Sequence, residues 1–181
     1  MTLSNVSPRA VSWNAIVVAL MILVASSVSA QDQGHASFVR DVVKNVTLDP
    51  TTYAPAIVAW KATRLDWQSS QVFFRHGWFE HNSRFTVSGR SDDTAIGRAA
   101  GNRQILADAI TVLRLSTVNN LSERVIERWL MPRYPNHRKL LHAIGWIERS
   151  AMASYWSYRE SAGHLRQWQK NVRLAQQLGY H

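Results

Sequence analysis

The chain of 181 residues contains no cysteine. Disulfides, four-cysteine zinc sites, thiol nucleophiles and thiol redox motifs are therefore excluded. Acidic residues are scarce: twelve Asp and Glu stand against twenty-one Lys and Arg, a formal net charge of +9. Long apolar runs are missing too. The longest, Ala15–Ala25, has eleven residues, a helix of about 16 Å against a hydrocarbon core of about 30 Å. No complete catalytic motif occurs, and no cofactor is expected. A Gly-x-Ser-x-Gly elbow is absent, and so are the two-histidine zinc helices that place both imidazoles on one ion.

What is present begins with an address. Met1–Asn14 is polar and carries Arg9, the apolar run follows, and Val28-Ser29-Ala30 supplies small residues before polar Gln31. That order is the secretory pattern. Residues 1–30 read as a signal segment cleaved after Ala30, or alternatively as an uncleaved anchor. The protein is expected outside the cytoplasm, in the periplasm or cell envelope. Without disulfides it must hold together by packing alone. Asn45-Val46-Thr47 and Asn120-Leu121-Ser122 match the glycosylation sequon, a short pattern that chance often produces.

The basic excess is confined to one half. Residues 31–95 hold seven cations and seven anions, whereas residues 96–181 hold thirteen against five. Arg124, Arg128, Arg133, Arg138, Lys139, Arg166, Lys170 and Arg173 are the candidate basic surface. Such a face suits an anionic membrane surface or an envelope protein; export argues against nucleic acid. The competing reading is a solvated helical surface. Arg149, Tyr155, Trp156, Tyr158, Arg159 and Trp168 add aromatics to the cations, as a membrane interface would.

Periodicity predicts an all-α fold: a small antiparallel helical bundle behind the signal helix. Residues 31–53 hold a short amphipathic helix, about 37–46, and a linker broken at Asp49-Pro50-Thr51-Thr52. Residues 54–181 form the bundle. Its first helix runs from about Ala54 to His76, with Pro55 in the first turn and Gly77 ending it. Trp60 and Trp67 lie on its stripe as core. Residues 82–94 are a loop, with Asp92, Asp93 or Thr94 capping a helix to about Met131, broken near Asn119-Asn120. Met131–Pro135 is a stop, since neither proline is cheap inside a helix. Asn136 caps a helix of about 137–160, and after Gly163 a last helix reaches Leu178. Central charges argue against any of these crossing a membrane.

One stretch invites chemistry. Asp66, Ser69, His76, Glu80 and Asn82 form a candidate polar cluster joining a helix to the following turn. An alternative is a metal-assisted hydrolase using Asp66, His76, Glu80 and His81. His76 and Glu80-His81 have one residue more than the inverted zinc pattern needs, so the metal candidates His76, Glu80 and His81 are a near miss. A Ser69 or Ser70 nucleophile with His76 and Asp66 lacks an elbow to present it. His164, one turn after Glu160, is expected to pair with it on the surface.

The order Asp66-x-x-Ser69-Ser70, then Gly77-x-x-Glu80-x-Asn82, then Pro132, Pro135 and Arg138 resembles a small uncharacterised helical membrane-protein family. Its pattern is an Asp-x-x-Ser/Thr-Ser/Thr helix, a Gly-x-x-Glu-x-Asn-Pro turn and a proline-rich basic loop between two further helices. The resemblance covers about residues 54–160. Ser83 stands where the family has proline, and the helices here are more polar. The resemblance implies that Asp66, Glu80 and Asn82 belong together; it implies no reaction.

The non-enzymatic reading is preferred: an envelope-associated helical protein acting through its basic half.

Overall fold

The computed structural model describes residues 32–180; the expected signal segment and His181 lie outside them. Among the described residues the protein is all-helical, with no strand. Four helices follow one another: α1 (Asp32–Leu48), α2 (Pro50–Arg75), α3 (Arg98–Leu130) and α4 (Arg138–Leu178). Short 3-10 turns occupy Ser83–Phe85 and Pro135–His137. From Asn45 onward the described residues form one compact unit, and the helix expected to start at about Ala54 begins at Pro50.

That earlier start has a local cause. Asp49-Pro50 opens a helix as well as closing one. The Asp49 carboxylate accepts hydrogen bonds from the Thr51 backbone N–H (3.1 Å) and hydroxyl (2.7 Å). Pro50 then occupies the first helical position, where its missing N–H costs nothing. Pro55 consequently lies inside α2 instead of in its first turn. The Thr52 hydroxyl and the Tyr53 phenol bond to the carbonyls of Val46 and Thr47, closing the α1–α2 corner.

The other boundaries show which signals were local. Gly77 (φ 81°), expected to end α2, and Gly179 (φ 68°), next after Leu178, both adopt the left-handed conformation beyond their helices. The cap of α3 does not come from Asp92, Asp93 or Thr94. Gly97 occupies that position without a side-chain bond. Asp93 instead accepts from the backbone N–H groups of Ser88 and Thr94 inside the loop. The bond from Ser88, then that from Thr94, holds its carboxyl below the ordinary range. Two isolated backbone bridges, Glu80–Asp93 and Thr86–Ala95, fold the loop on itself. Helix α3 passes Asn119-Asn120 unbroken, and α4 is one helix of 41 residues through Gly163. Asn136 lies in the 3-10 turn, and His137 takes the cap position of α4 without a side-chain bond.

Side-chain contacts fix the directions. Asn120 of α3 meets Thr51 and Thr52 at the start of α2, while Gly101 meets Trp67 near its end, so α2 and α3 are antiparallel. Asp49 and Asp66 of α2 meet Arg149 and His164 of α4 in the same order, so α2 and α4 run parallel. The apolar core is thin. Ala56 and Ala59 pack on Val112, and further along α2 Trp67 packs on Phe85 and Ile105. Trp60 flanks this second cluster, as its stripe predicted. Small residues let α2 and α3 approach closely; a Cβ on Gly101 would overlap the Trp67 indole.

Helix α4 has a different character. Its fully buried positions are Gly145, Arg149, Ser161 and Asn171. None is a large apolar residue. Polar contacts therefore fill its most buried positions, beside the half-buried Met152, Trp156, Leu165, Trp168 and Leu174.

Candidate functional site

Polar residues hold α4 to α2 at two places, and the second borders a cavity. At the first, Asp49 of α2, Arg124 and Glu127 of α3 and Arg149 of α4 form a buried ion network. Arg149 Nε donates to Asp49 Oδ2 (3.1 Å) and its Nη1 to Glu127 Oε2 (3.4 Å). Arg124 repeats both contacts, at 3.0 and 3.4 Å. The Arg149 side chain is 3 % exposed and those of Glu127 and Asp49 only 5 % and 9 %, so the charges compensate each other in place of water. Gly145 makes room: a side chain there would press on the Arg149 and Glu127 head groups. His142, on the solvent side, contacts the other Glu127 oxygen. Burial alone would raise the Asp49 carboxyl. The Thr51 hydrogen bonds, with Arg149 and Arg124, outweigh it and leave Asp49 below its ordinary value.

At the second place, Asp66, Ser69 and Ser70 share one face of α2, and His164, Gln167 and Asn171 share the facing side of α4. His164 Nδ1 donates to Asp66 Oδ2 (2.8 Å). The Asn171 amide reaches Asp66 Oδ1 (3.3 Å), Ser69 Oγ (3.1 Å) and Ser70 Oγ (2.9 Å). Its own carbonyl accepts from Gln167 at 2.9 Å. Both serine hydroxyls donate back to the Asp66 carbonyl, at 2.8 and 3.0 Å.

Beside this seam lies a cavity of about 340 Å³. Asp66, Ser70, His164 and Asn171 form one wall, and Glu80, His81 and Asn82 come from the loop after α2. Trp67, Phe73, Phe74, Trp78, Phe79 and Phe85 supply aromatic surface.

The sequence candidates are thus partly gathered. Asp66, Glu80 and Asn82 border one cavity, but Asp66 bonds to α4 whereas Glu80 accepts from the Asn82 backbone (2.7 Å) and Asn82 caps Arg84 (3.1 Å). Ser69 belongs to the Asn171 knot. His76 turns elsewhere: its Nδ1 donates to the Val72 carbonyl (2.8 Å) and its ring stacks on Tyr180 at 3.7 Å. His81 contacts Asp92 on the surface. The Asp66, His76, Glu80 and His81 set does not converge, and among the described residues no group of three His, Asp or Glu is placed to hold a metal ion. His164 pairs with Asp66 rather than with Glu160. Sequence reading missed His164, Gln167 and Asn171 as a set. Their 0, +3, +7 spacing on one α4 face was the available signal.

The basic candidates divide as well. Arg124, expected on the surface, is only 20 % exposed and belongs to the ion network, and Arg149 is buried there too. Arg128, Arg133, Arg138, Lys139, Arg166, Lys170 and Arg173 are exposed. Four of these cluster where α3 turns into α4. Residues 128–147 carry Arg128, Arg133, Arg138 and Lys139 and no Asp or Glu. The same stretch exposes Trp129, Tyr134, Leu140, Ile144, Trp146 and Ile147, each by more than half. Arg133 lies over the Trp129 ring at 3.5 Å. No described helix is long and apolar enough to cross a membrane. The second sequon is closed by the fold, since Asn120 is 2 % exposed and its amide is bonded to Thr51 and Thr52.

In comparisons with family models, curated proteins and solved structures, nothing matches this chain.

Proposed function

We propose that the protein is an exported, non-enzymatic helical module of the cell envelope that attaches to an anionic membrane surface through its α3–α4 turn. One observation carries this reading: exposed aromatic and aliphatic side chains alternate with cations over residues 128–147, without a single acid. A monomer in water gains nothing by leaving Trp129, Trp146, Ile144 and Ile147 uncovered. At a lipid headgroup layer the rings sit at the interface and the cations meet phosphates. Each cation near such a surface contributes about 1 kcal/mol, so Arg133, Arg138 and Lys139 together give about 3 kcal/mol, an attachment in the millimolar range before any aromatic insertion. The fold leaves this turn unobstructed, because residues 132–140 are all exposed.

The test is co-sedimentation of the purified protein with anionic and neutral vesicles across a salt series. Binding should require anionic lipid and weaken with salt, as the Debye length falls from about 10 Å at 0.1 M to about 3 Å at 1 M. Charge reversal at Arg133, Arg138 and Lys139 should abolish it. Reversal at Arg166, Lys170 and Arg173 should weaken it less. Equal loss from both sets would mean that net charge, not the turn, makes the attachment. Binding indifferent to lipid charge would overturn the reading.

A further inference from the structure

We propose that the cavity beside Asp66 is a binding site for a small organic cation, an ammonium group carried on an apolar body. The proposal is independent of membrane attachment and rests on a local reversal of charge. The chain as a whole carries +9, yet no Lys or Arg lines this cavity, whereas the carboxylates of Asp66 and Glu80 do. One belongs to the α2–α4 seam and the other to the loop after α2. Beside Asp66 the Ser70 hydroxyl lines the same wall and offers a further oxygen to an N–H donor. Asp66 lies mostly sheltered, with 16 % of its side chain exposed, so an ammonium reaching it would be partly desolvated and strongly felt.

The aromatic walls supply the second half of the argument. Rings attract cations through the negative faces of their π systems, and the attraction grows as water is excluded. The Trp67 and Phe73 side chains are core. Trp78 and Phe79 are not: they are 45 % and 59 % exposed although both border the cavity. Trp78 is held in place by Phe73, at 5.3 Å between ring centres. A ligand with an apolar body would cover these rings while its ammonium met the carboxylates. A volume of about 340 Å³ admits a compact molecule and lies at the lower end of ordinary ligand sites. Anionic ligands are disfavoured by both carboxylates, and a neutral ligand of the same shape would forgo the charged contacts.

The experiment uses three probes of matched shape and different charge: benzylamine, benzyl alcohol and benzoate. Their affinities for the full chain are measured at neutral pH by tryptophan fluorescence and calorimetry. Benzylamine should bind at least about ten-fold more tightly than benzyl alcohol, and benzoate should be weakest, against the sign of the overall charge. Glu80→Gln keeps a side-chain oxygen able to accept from the Asn82 N–H and should lower benzylamine affinity several-fold while leaving benzyl alcohol unaffected. Phe79→Leu should weaken both. Asp66→Asn should act like Glu80→Gln, with thermal melting as the check that the seam survives. Equal binding of benzylamine and benzoate would overturn the proposal. So would failure of benzylamine to bind in the millimolar range, or a Glu80→Gln effect shared equally by the neutral probe.

Discussion

Replacing Arg149 by Met tests whether buried charge holds α4 in place. The side chain is 3 % exposed and bridges Asp49 on α2 with Glu127 on α3. Methionine fills similar volume without the guanidinium, so packing loss is small and the change is electrostatic. Removing one partner of a buried pair costs about 3–5 kcal/mol, because the remaining charge is left uncompensated. Arg124 still contacts both carboxylates, which places the expected loss near the lower limit, about 3 kcal/mol. Urea unfolding followed by far-UV circular dichroism reads this directly. With a slope of about 1–3 kcal/mol per molar urea, the midpoint should fall by at least about 1 M. Arg149→Lys should lose stability too, since one ammonium cannot span both carboxylates as the planar fork does. Acid supplies the sign check. Asp49 has a lowered pKa, so its contribution is complete above the unfolded value, about 3.9, and is lost as pH falls through the folded value. The gap between wild type and Arg149→Met should therefore narrow below about pH 4. A loss under about 1 kcal/mol, or a Lys variant as stable as wild type, would refute the view that the guanidinium fork fixes α4.

Three further outcomes are expected. Gly101→Ala should destabilise by about 1–3 kcal/mol in thermal or urea unfolding, although alanine is the better helix former, because the added methyl strikes the Trp67 ring. Burial, then the neighbouring Glu123, raises the Glu148 carboxyl above its ordinary range; its charged form is thus penalised in the folded state. Glu148→Gln should stabilise the protein at neutral pH, and the gain should disappear as pH falls below the raised value and the wild-type carboxyl takes up its proton. Edman sequencing of the exported protein should begin at Gln31, whereas an intact Met1 in the membrane fraction would show an anchor.

The boundaries legible in the sequence were those set by residues acting on their own backbone. Gly77, Gly179 and the Met131–Pro135 stop are of this kind. Asp49-Pro50 was read only as a breaker because the same pair both ends and opens helices, and what selects between these is distant: Arg124 and Arg149, 75 and 100 residues away, hold Asp49 where it caps α2. Asn119-Asn120 suggested a break for a similar reason. An asparagine in the interior of a helix usually competes with the backbone, but Asn120 is occupied across the interface with Thr51 and Thr52. For the cavity, the α2 and loop residues were visible as a local cluster, whereas the α4 residues lie about 100 positions further along. Only their shared helical face could have announced them.

The same polar contacts bear on the exposed apolar turn. Helix α4 is held to α2 at Asp49 and again at Asp66, through Arg149 at one end and through His164 and Asn171 at the other. Hydrophobic burial is less directional than a hydrogen bond, and near the turn it alone would favour covering Ile144, Trp146 and Ile147. Two directional contacts along one helix oppose the rotation of α4 this needs, since turning the helix by one residue would break both. The buried polar pairs thus keep the apolar side chains of the turn facing outward, where a headgroup layer can take them. It follows that Arg149→Met, which removes one of the two contacts and touches no lipid, should weaken vesicle attachment under conditions where the variant remains folded. A variant that is folded, less stable and yet binds vesicles as the wild type does would show that the turn presents its aromatics without help from the interior.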